Sequence, residues 1–328
     1  MLTYELVEEA KQIAPLIRKT PLLRSDCLSE LAGGEIYLKL ENLQRLNAFK
    51  IRGMLNKVMS MDRDVLSRGI AVVSSGNFGL AASYCGSVFD IPVDVFVPRN
   101  TPQSKLRRIS GFGAKVKVTG DNYDQCRLNA RQELSAGAYQ KTFIEQGDIR
   151  VMAGYGTIAT ELVQQEPDLD EVLVPVGGGS LMTGIAVAMK ALDPSVAVSG
   201  VQTAACPAMA ASLEEGRAYE EYPCDESVCE GLIGGVERVA FEHISRLGCR
   251  VSTVSEASIL KAVGFLLFAE KLVVEPSAAA GVARVLESPR SFSGRRVAIV
   301  ISGGNIDSSL LAETAQGGDG ESFSVDVN

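Results

Sequence analysis

The chain has 328 residues, 46% of them hydrophobic and 22% charged, a balance typical of a soluble globular protein of about two domains. Its formal net charge is −8 at pH 7 and its lysines and arginines are scattered, which argues against nucleic acid as a partner. Because His243 is the only histidine, Ser-His-Asp catalysis would have to use this residue, and a His-rich metal site is excluded.

The N-terminal segment "MLTYELVEEAKQIAPLIRK" predicts an amphipathic helix and lacks the apolar core of a secretory signal. No later stretch approaches the roughly 20 consecutive apolar residues that cross a bilayer, so we expect no membrane segment. The seven cysteines have neither CxxC spacing nor the density of a disulfide scaffold. These features predict a cytoplasmic protein with free thiols.

Short β-rich runs then alternate with segments whose apolar residues recur at helical spacing. This alternation predicts the α/β class, with mostly parallel sheets covered by helices on both faces. No low-complexity linker interrupts the pattern, so two domains are expected to be interleaved. The Gly- and Ser-rich end, 312–328, predicts a flexible tail. The predicted strands are 35–41, 69–75, 92–98, 114–120, 170–178, 196–202, 249–255 and 295–304.

After the first predicted strand, Lys50 stands between Phe49 and Ile51 in an apolar run. Lysine ordinarily keeps its ammonium in water. This placement therefore requires either a side chain that extends to solvent or a chemical role for the amine.

The segment "VLVPVGGGSLMTGIAVAMKAL" at 172–192 runs from an apolar strand through three glycines and a serine directly into a helix. Unobstructed backbone N–H groups at such a turn, next to the positive end of the helix dipole, form a cradle for phosphate. No lysine follows the glycines as a Walker A loop requires, and Met182 replaces the last glycine of a dinucleotide fingerprint. A single phosphate monoester is the predicted ligand, with a tight structural turn as the alternative.

A second glycine motif, "GYGTIA" at 154–159, matches GxGxxA and has Asp170 downstream. This match leaves nicotinamide-dinucleotide binding as an alternative. The fingerprint requires a strand directly before it, however, and the residues before this motif only weakly predict one.

Two further turns follow predicted strands, Ser-Ser-Gly-Asn at 74–77 and Ser-Gly-Gly-Asn at 302–305. Each alone could be a helix N-cap within a turn. Together with the triple-glycine turn they lie at the carboxyl ends of parallel strands, where loops converge on one crevice.

Six segments, in order, resemble the fold type II pyridoxal-phosphate enzymes of the serine/threonine dehydratase and serine racemase family: "ENLQRLNAFKIRG", "SSGNFG", "GYGTIATE", "VPVGGGSL", "VEPSAAAGVA" and "ISGGNID". The resemblance runs from about residue 5 to about residue 310. It implies a tryptophan synthase β-like fold, with a large cofactor-binding domain of residues 1–47 and 146–328 and a small substrate domain of residues 48–145. It also implies a homodimer.

The resemblance implies a role for each matching residue. Lys50 would form an imine with the aldehyde of pyridoxal 5'-phosphate, because desolvation keeps its amine neutral. Phe49 would pack on the pyridine ring, Asn77 would hydrogen-bond its phenolic oxygen and Ser302 would meet its nitrogen. Phosphate would be bound by the backbone amides of Gly177, Gly178, Gly179, Ser180 and Leu181. The substrate carboxylate would be bound by Ser74, Ser75, Gly76, Asn77 and Phe78.

The activity that this resemblance implies is an ammonia-lyase that removes the α-proton of a serine- or threonine-like amino acid and eliminates its β-hydroxyl as water. Ser75 would act catalytically in the alternative activity, amino-acid racemisation, by reprotonating the opposite face. A β-replacement enzyme and an inactive binding homologue are further alternatives.

Several positions depart from the family pattern: Asn47, Ala48, Phe78, Tyr155 and Gly234. Glu145-Gln146 also replaces a His-Pro pair. These changes leave the amino-acid substrate open, including a larger or differently charged one. Arg131 and Arg238 are candidate contacts to a carboxylate, with ordinary surface arginines as the alternative.

The divalent-cation site of the racemases should be missing. Gln202, Cys206 and Ala208 stand where its ligands are expected, and hard cations prefer carboxylate oxygens. We therefore expect no metal.

Overall fold

The computed structural model describes residues 1–136 and 140–317, which form an α/β protein with two sheets. The strands of this part of the chain are β1 (Leu22–Arg24), β2 (Glu35–Lys39), β3 (Ile70–Val73), β4 (Val93–Val97), β5 (Lys115–Val118), β6 (Thr142–Phe143), β7 (Glu171–Pro175), β8 (Ala197–Thr203), β9 (Arg250–Val254) and β10 (Arg296–Val300).

The helices in the same residues are α1 (Tyr4–Ala10), α2 (Asp26–Ala32), α3 (Lys50–Met59), α4 (Arg63–Ser67), α5 (Asn77–Phe89), α6 (Gln103–Ser110), α7 (Tyr123–Ser135), α8 (Ile149–Gln165), α9 (Ser180–Leu192), α10 (Ala208–Glu215), α11 (Arg238–Arg246), α12 (Glu256–Phe268), α13 (Pro276–Glu287) and α14 (Ser308–Gly317). No helix in the described part of the chain has both the length and the apolar character needed to cross a membrane.

The larger sheet has the strand order β1-β2-β10-β7-β8-β9, and the smaller has β5-β4-β3-β6. Every pairing is parallel except β1 with β2. Strands such as β4 and β7 are buried along their whole length, because helices cover both faces of a parallel sheet. The predicted α/β class with two mostly parallel sheets is therefore confirmed.

All eight predicted strands are found, with ends shifted by a few residues. The four strands of the smaller sheet lie between residues 70 and 143, inside the span 48–145. The division into domains at 47/48 and 145/146 stays a prediction.

Three helices next to the larger sheet pack closely at glycines. A Cβ at Gly184 of α9 would lie 2.2 Å from the carbonyl oxygen of Met152 in α8, and one at Gly154 would lie 2.4 Å from the carbonyl oxygen of Arg52 in α3. Glycine is therefore required for the close approach of these backbones. The motif "GYGTIA" lies inside α8 and follows no strand, so the dinucleotide-loop alternative is wrong.

One other expectation needs correction. The expectation of free thiols is wrong for Cys206 and Cys224, which form a disulfide between residues 18 apart in the sequence. Helix α14 extends to Gly317 and so includes residues 312–317 of the predicted flexible tail, which stays a prediction. The rest of that tail, 318–328, lies outside the described residues.

Candidate active site

Lys50 begins α3 and its amine faces three aromatic rings. The Nζ atom lies 4.9 Å from the ring centroid of Phe49, 5.8 Å from that of Phe78 and 5.9 Å from that of Tyr155. It donates a hydrogen bond to the side-chain oxygen of Gln146. Burial lowers the pKa of Lys50 to about 8, although the carboxylates of Glu237 and Glu275 favour the charged form. About one tenth of the amine is therefore neutral and nucleophilic at pH 7, a far larger fraction than for an ordinary lysine.

The backbone on either side of Lys50 is joined to the loop after β10. The N–H of Phe49 donates to the carbonyl oxygen of Ser302 at 3.1 Å, and Ala48 forms an isolated bridge with Gly303. Ser302 is buried. The structure thus brings together two predicted site segments that are far apart in sequence.

Asn77, the first residue of α5, lies in the same crevice. Its side-chain nitrogen donates to both carboxylate oxygens of Glu275, at 3.1 and 3.0 Å, and its side-chain oxygen accepts from Asn305 at 2.6 Å. Burial raises the pKa of Glu275, and the Asn77 hydrogen bond opposes that shift. Glu275 was not predicted as a site residue, although it lies in the quoted segment "VEPSAAAGVA".

The residues predicted to bind the substrate carboxylate form the turn between β3 and α5. The hydroxyl of Ser74 accepts from the N–H of Gly76 at 3.2 Å, and Phe78 is buried against the Lys50 amine. Ser75 and Gly76 remain accessible. The segment therefore places backbone N–H groups and a helix N-terminus near Lys50, an arrangement suited to an anionic group.

The triple-glycine turn connects β7 to α9. Gly179 has φ +94°, and a Cβ there would lie 2.6 Å from Met209 Cε. A Cβ at Gly177 would lie 2.6 Å from the carbonyl oxygen of Gly231, so only glycine fits at both positions. Glu237 joins this turn to the Lys50 region, because its N–H donates to the carbonyl oxygen of Gly178 at 2.9 Å.

Ser180 provides a direct test of whether the phosphate of pyridoxal phosphate fits here. Its hydroxyl oxygen is buried and has no hydrogen-bond partner among the described residues. A buried hydroxyl without a partner is costly, and a phosphate oxygen at the N-terminus of α9 satisfies it. The residues 177–181 therefore fit the cofactor phosphate, and the lysine needed to bind its aldehyde lies in the same crevice.

The two candidate arginines are both engaged in ion pairs. Arg238 is exposed and pairs with Glu220. Arg131 is half-exposed and contacts Glu145 at 2.6 Å. His243 is buried in α11, where its Nε2 accepts from the N–H of Leu2 at 3.1 Å, and this contact is structural.

Sequence reasoning did not assign roles to Gln146, Glu237 and Glu275. Gln146 and Glu237 lie in segments that are not turns after predicted strands, and only the tertiary structure brings them to Lys50. The signal that could have found Glu275 is its position directly before Pro276, where α13 begins beside the loop after β10.

Comparisons with known proteins identify the family of this chain. A family model described as pyridoxal-phosphate dependent enzyme matches residues 13–303. An L-threonine ammonia-lyase of Thermotoga maritima is 38% identical over 315 residues, covering 95% of this chain and 77% of that protein. A serine racemase of Dictyostelium discoideum is 33% identical over 312 residues, covering 94% of this chain and 96% of that protein.

Among solved structures, a serine racemase from Dictyostelium discoideum superposes with a TM-score of 0.86 at 33% sequence identity, covering 93% of this chain and 99% of the other. The predicted family resemblance, fold type and cofactor are confirmed. The chain belongs to the pyridoxal-phosphate-dependent enzymes of fold type II.

Proposed function

We propose that this protein is a pyridoxal-phosphate-dependent ammonia-lyase that converts a β-hydroxy amino acid into a 2-oxo acid and ammonia. The observation that carries the proposal is the Lys50 amine, whose pKa burial lowers to about 8, in the same crevice as the Ser180 hydroxyl without a partner. The similarity to an L-threonine ammonia-lyase at 38% identity supports the reaction type.

The proposal assigns the binding of the cofactor to residues from four segments. Lys50 would bond to the aldehyde carbon, while Phe49 would pack on the ring, Asn77 would contact its oxygen and Ser302 would meet its nitrogen. The phosphate would be held by Gly177, Gly178, Gly179, Ser180 and Leu181. When bound there, pyridoxal phosphate supplies an electron sink for a carbanion at the substrate Cα.

Lys50 then acts as the general base. Its neutral amine would remove the α-proton and return it to the β-hydroxyl, which would leave as water, and a second water would hydrolyse the dehydrated amino acid to the 2-oxo acid and ammonia. Its lowered pKa suits this task, because a base with a pKa near the working pH is both available and effective. The substrate carboxylate is held by the turn of Ser74, Ser75, Gly76, Asn77 and Phe78.

Racemisation is a second candidate activity. It is supported by the similarity to a serine racemase at 33% identity and by the accessible side chain of Ser75, which lies in the turn next to Lys50. In that activity the Ser75 hydroxyl returns a proton to the face of Cα opposite Lys50.

The first experiment measures cofactor binding and turnover together. The purified protein should absorb as a lysine-bound pyridoxal phosphate, lose that band on borohydride treatment, and lack it as Lys50→Ala. Lys57→Ala is the matched control, because Lys57 lies in the same helix but pairs with Asp148. A Lys50→Ala protein that keeps the lysine-bound spectrum would contradict the proposal.

The second experiment follows ammonia, 2-oxo acid and substrate chirality for a panel of hydroxy amino acids. Release of ammonia with a 2-oxo acid supports the lyase. Inversion at Cα without ammonia, lost in Ser75→Ala, supports the racemase instead.

A homodimer remains a prediction based on the family resemblance, and a cytoplasmic location remains one based on the cysteine spacing and the N-terminal sequence. Light scattering on the purified protein measures the first, and a monomer mass would contradict it.

A further inference from the structure

A small pocket beside Lys50 carries polar groups that the proposed function leaves unused. Its wall combines apolar side chains from the smaller sheet, from α5 and from the residue that follows β6 with five polar residues from α7, the segment before α8 and the residue before α11. The lining residues are Val73, Phe78, Tyr123, Arg127, Phe143, Ile144, Glu145, Gln146 and Glu237. Gln146 also accepts a hydrogen bond from the Lys50 amine, so this pocket adjoins the place where the substrate would be held.

Arg127 in the wall of the pocket and Arg131 next to it are already paired. Arg127 donates to a carboxylate oxygen of Glu145 through Nε at 3.2 Å and Nη2 at 2.9 Å. Arg131 donates to the same oxygen at 2.6 Å. Both guanidinium groups are therefore held by one acid, and neither is directed at an incoming ligand.

Glu237 differs from Glu145 because its carboxylate has no such partner. Within residues 1–136 and 140–317, the structure contains no hydrogen bond and no ion pair to the Glu237 side chain that meets normal distance limits. Burial raises the pKa of Glu237, and the positive charge of Arg127 only partly opposes this shift. A partly buried carboxylate without a donor is costly, and a cationic ligand would relieve that cost.

The Glu237 carboxylate lies against Gly147. A Cβ at residue 147 would lie 2.5 Å from Glu237 Oε2 and 2.9 Å from Cδ, so the carboxylate occupies the space that glycine leaves. At the other end, the backbone N–H of Glu237 is bonded to Gly178 in the proposed phosphate turn. The acid is thus held between the cofactor site and the pocket.

The second acceptor in the pocket is the side-chain oxygen of Gln146. That oxygen accepts from Lys50, and the Gln146 side chain also bonds to the hydroxyl of Tyr123. The pocket therefore has hydrogen-bond acceptors, Gln146 and Glu237, near Lys50, while its guanidinium group is bonded to Glu145. Such an arrangement is complementary to a ligand that carries a hydrogen-bond donor.

We propose that Glu237 binds a cationic group on the side chain of the substrate, so that the preferred substrate is an amino acid with a second ammonium group. This inference rests on the proposed function, because it concerns the substrate of the same site. A neutral side chain would leave the carboxylate unpaired, and an anionic one would be repelled by it.

Three amino acids with the same β-hydroxyl leaving group test the inference: threonine, 3-hydroxyaspartate and 2,4-diamino-3-hydroxybutanoate. They place a methyl, a carboxylate and an aminomethyl group at the same carbon. We expect kcat/KM for the diamino acid to exceed that for threonine by about tenfold to hundredfold, with 3-hydroxyaspartate poorest. Calorimetric titration of the cofactor-loaded protein should give the same order of affinities.

Variants at position 237 separate charge from shape. Glu237→Gln should reduce the ratio of the diamino acid to threonine by about tenfold or more, and Glu237→Asp should retain part of it. Glu237→Lys should shift the preference toward 3-hydroxyaspartate. Glu215→Gln, which removes an exposed acid paired with Arg217, should leave the ratio unchanged. The cofactor spectrum of each variant reports whether it is folded.

The outcomes distinguish this inference from the proposed function. If hydroxy amino acids are deaminated but threonine or 3-hydroxyaspartate is preferred and Glu237→Gln does not change the ratio, the inference is wrong and the lyase stands. If the loaded protein turns over none of the three, the lyase proposal is wrong. The calorimetric affinities then decide the inference, and equal affinities for all three compounds overturn it.

Discussion

The Lys50 amine lies among aromatic rings, and only one of them comes from its own apolar segment of the sequence. Phe49 precedes it in the sequence, whereas Phe78 and Tyr155 reach it only through the fold. Two of these rings stand at positions where the chain departs from its family pattern. The rings desolvate the ammonium, which favours the neutral amine, while Glu237 and Glu275 limit the shift by their negative charge.

The rate of cofactor uptake by the cofactor-free protein should therefore rise with pH and level off above a midpoint of about 8. The sign follows because only the neutral amine attacks the aldehyde, and burial lowers the pKa of Lys50 from its ordinary value of 10.5. Stopped-flow absorbance measures this rate. Glu237→Gln should move the midpoint to lower pH, since it removes a charge that favours the ammonium; a midpoint near 10 would contradict the assigned burial.

At the scale of elements, a buried group of charges connects α3 to the larger sheet. Arg52, two residues after Lys50, contacts Glu41 at 2.8 Å and Glu161 at 2.7 Å, and Lys39 of β2 contacts Glu161 at 2.6 Å. Although burial opposes the shift, Arg52 and Lys39 hold the pKa of Glu161 below its ordinary value. This network fixes the helix that presents Lys50.

Replacing Arg52 with methionine should lower the free energy of unfolding by about 3 to 5 kcal/mol, because buried carboxylates lose their partner. Arg150→Met is the matched control, since Arg150 forms a more exposed pair with Glu9 and should cost about 1 kcal/mol or less. Urea denaturation of the two variants measures the difference. Equal losses would show that the network does not contribute as a buried unit.

The elements that sequence reasoning missed are short. β1 has three residues and β6 has two, too few for an alternating pattern to be recognised, and both lie at an edge of their sheet. The eight longer strands were predictable because continuous apolar runs between helical segments are typical of parallel sheets. The end of α1 at Ala10 could not be predicted, because the amphipathic pattern continues through the 3₁₀ helix at Lys11–Leu16.

At the scale of the whole molecule, the candidate site joins loops that leave both sheets. The turn at Ser74 follows the smaller sheet, while Gly177 and Ser302 follow strands of the larger one. Their convergence was predictable, because carboxyl ends of parallel strands share an edge. The contact of Glu237 with Gly147 could not be predicted, because this contact depends on the path of the irregular segment between α10 and α11.

Cofactor binding should therefore stabilise both sheets together. At a pyridoxal phosphate concentration about one hundred times its dissociation constant, we expect the free energy of unfolding to rise by about 2.7 kcal/mol. Hydrogen exchange should slow in β3 and β4 as well as in β7 and β10.

Gly179→Ala should abolish this stabilisation, because its Cβ would meet Met209 and the left-handed backbone at φ +94° disfavours alanine. Gly111→Ala is a control outside the phosphate turn, because Gly111 follows α6. A Cβ at Gly111 would come no closer than 3.1 Å to its nearest neighbour, the carbonyl oxygen of Arg107. Equal protection by the cofactor in both variants would contradict the assigned phosphate turn.

The fit between Gly147 and the Glu237 carboxylate has a consequence for how new specificities can arise on this scaffold. A Cβ introduced at 147 would overlap the Glu237 carboxylate and make it move, and a small apolar residue at 237 would leave a void beside the glycine. The two positions are therefore coupled, so a laboratory-evolved variant that gains a side chain at 147 should also show a changed preference for a cationic substrate.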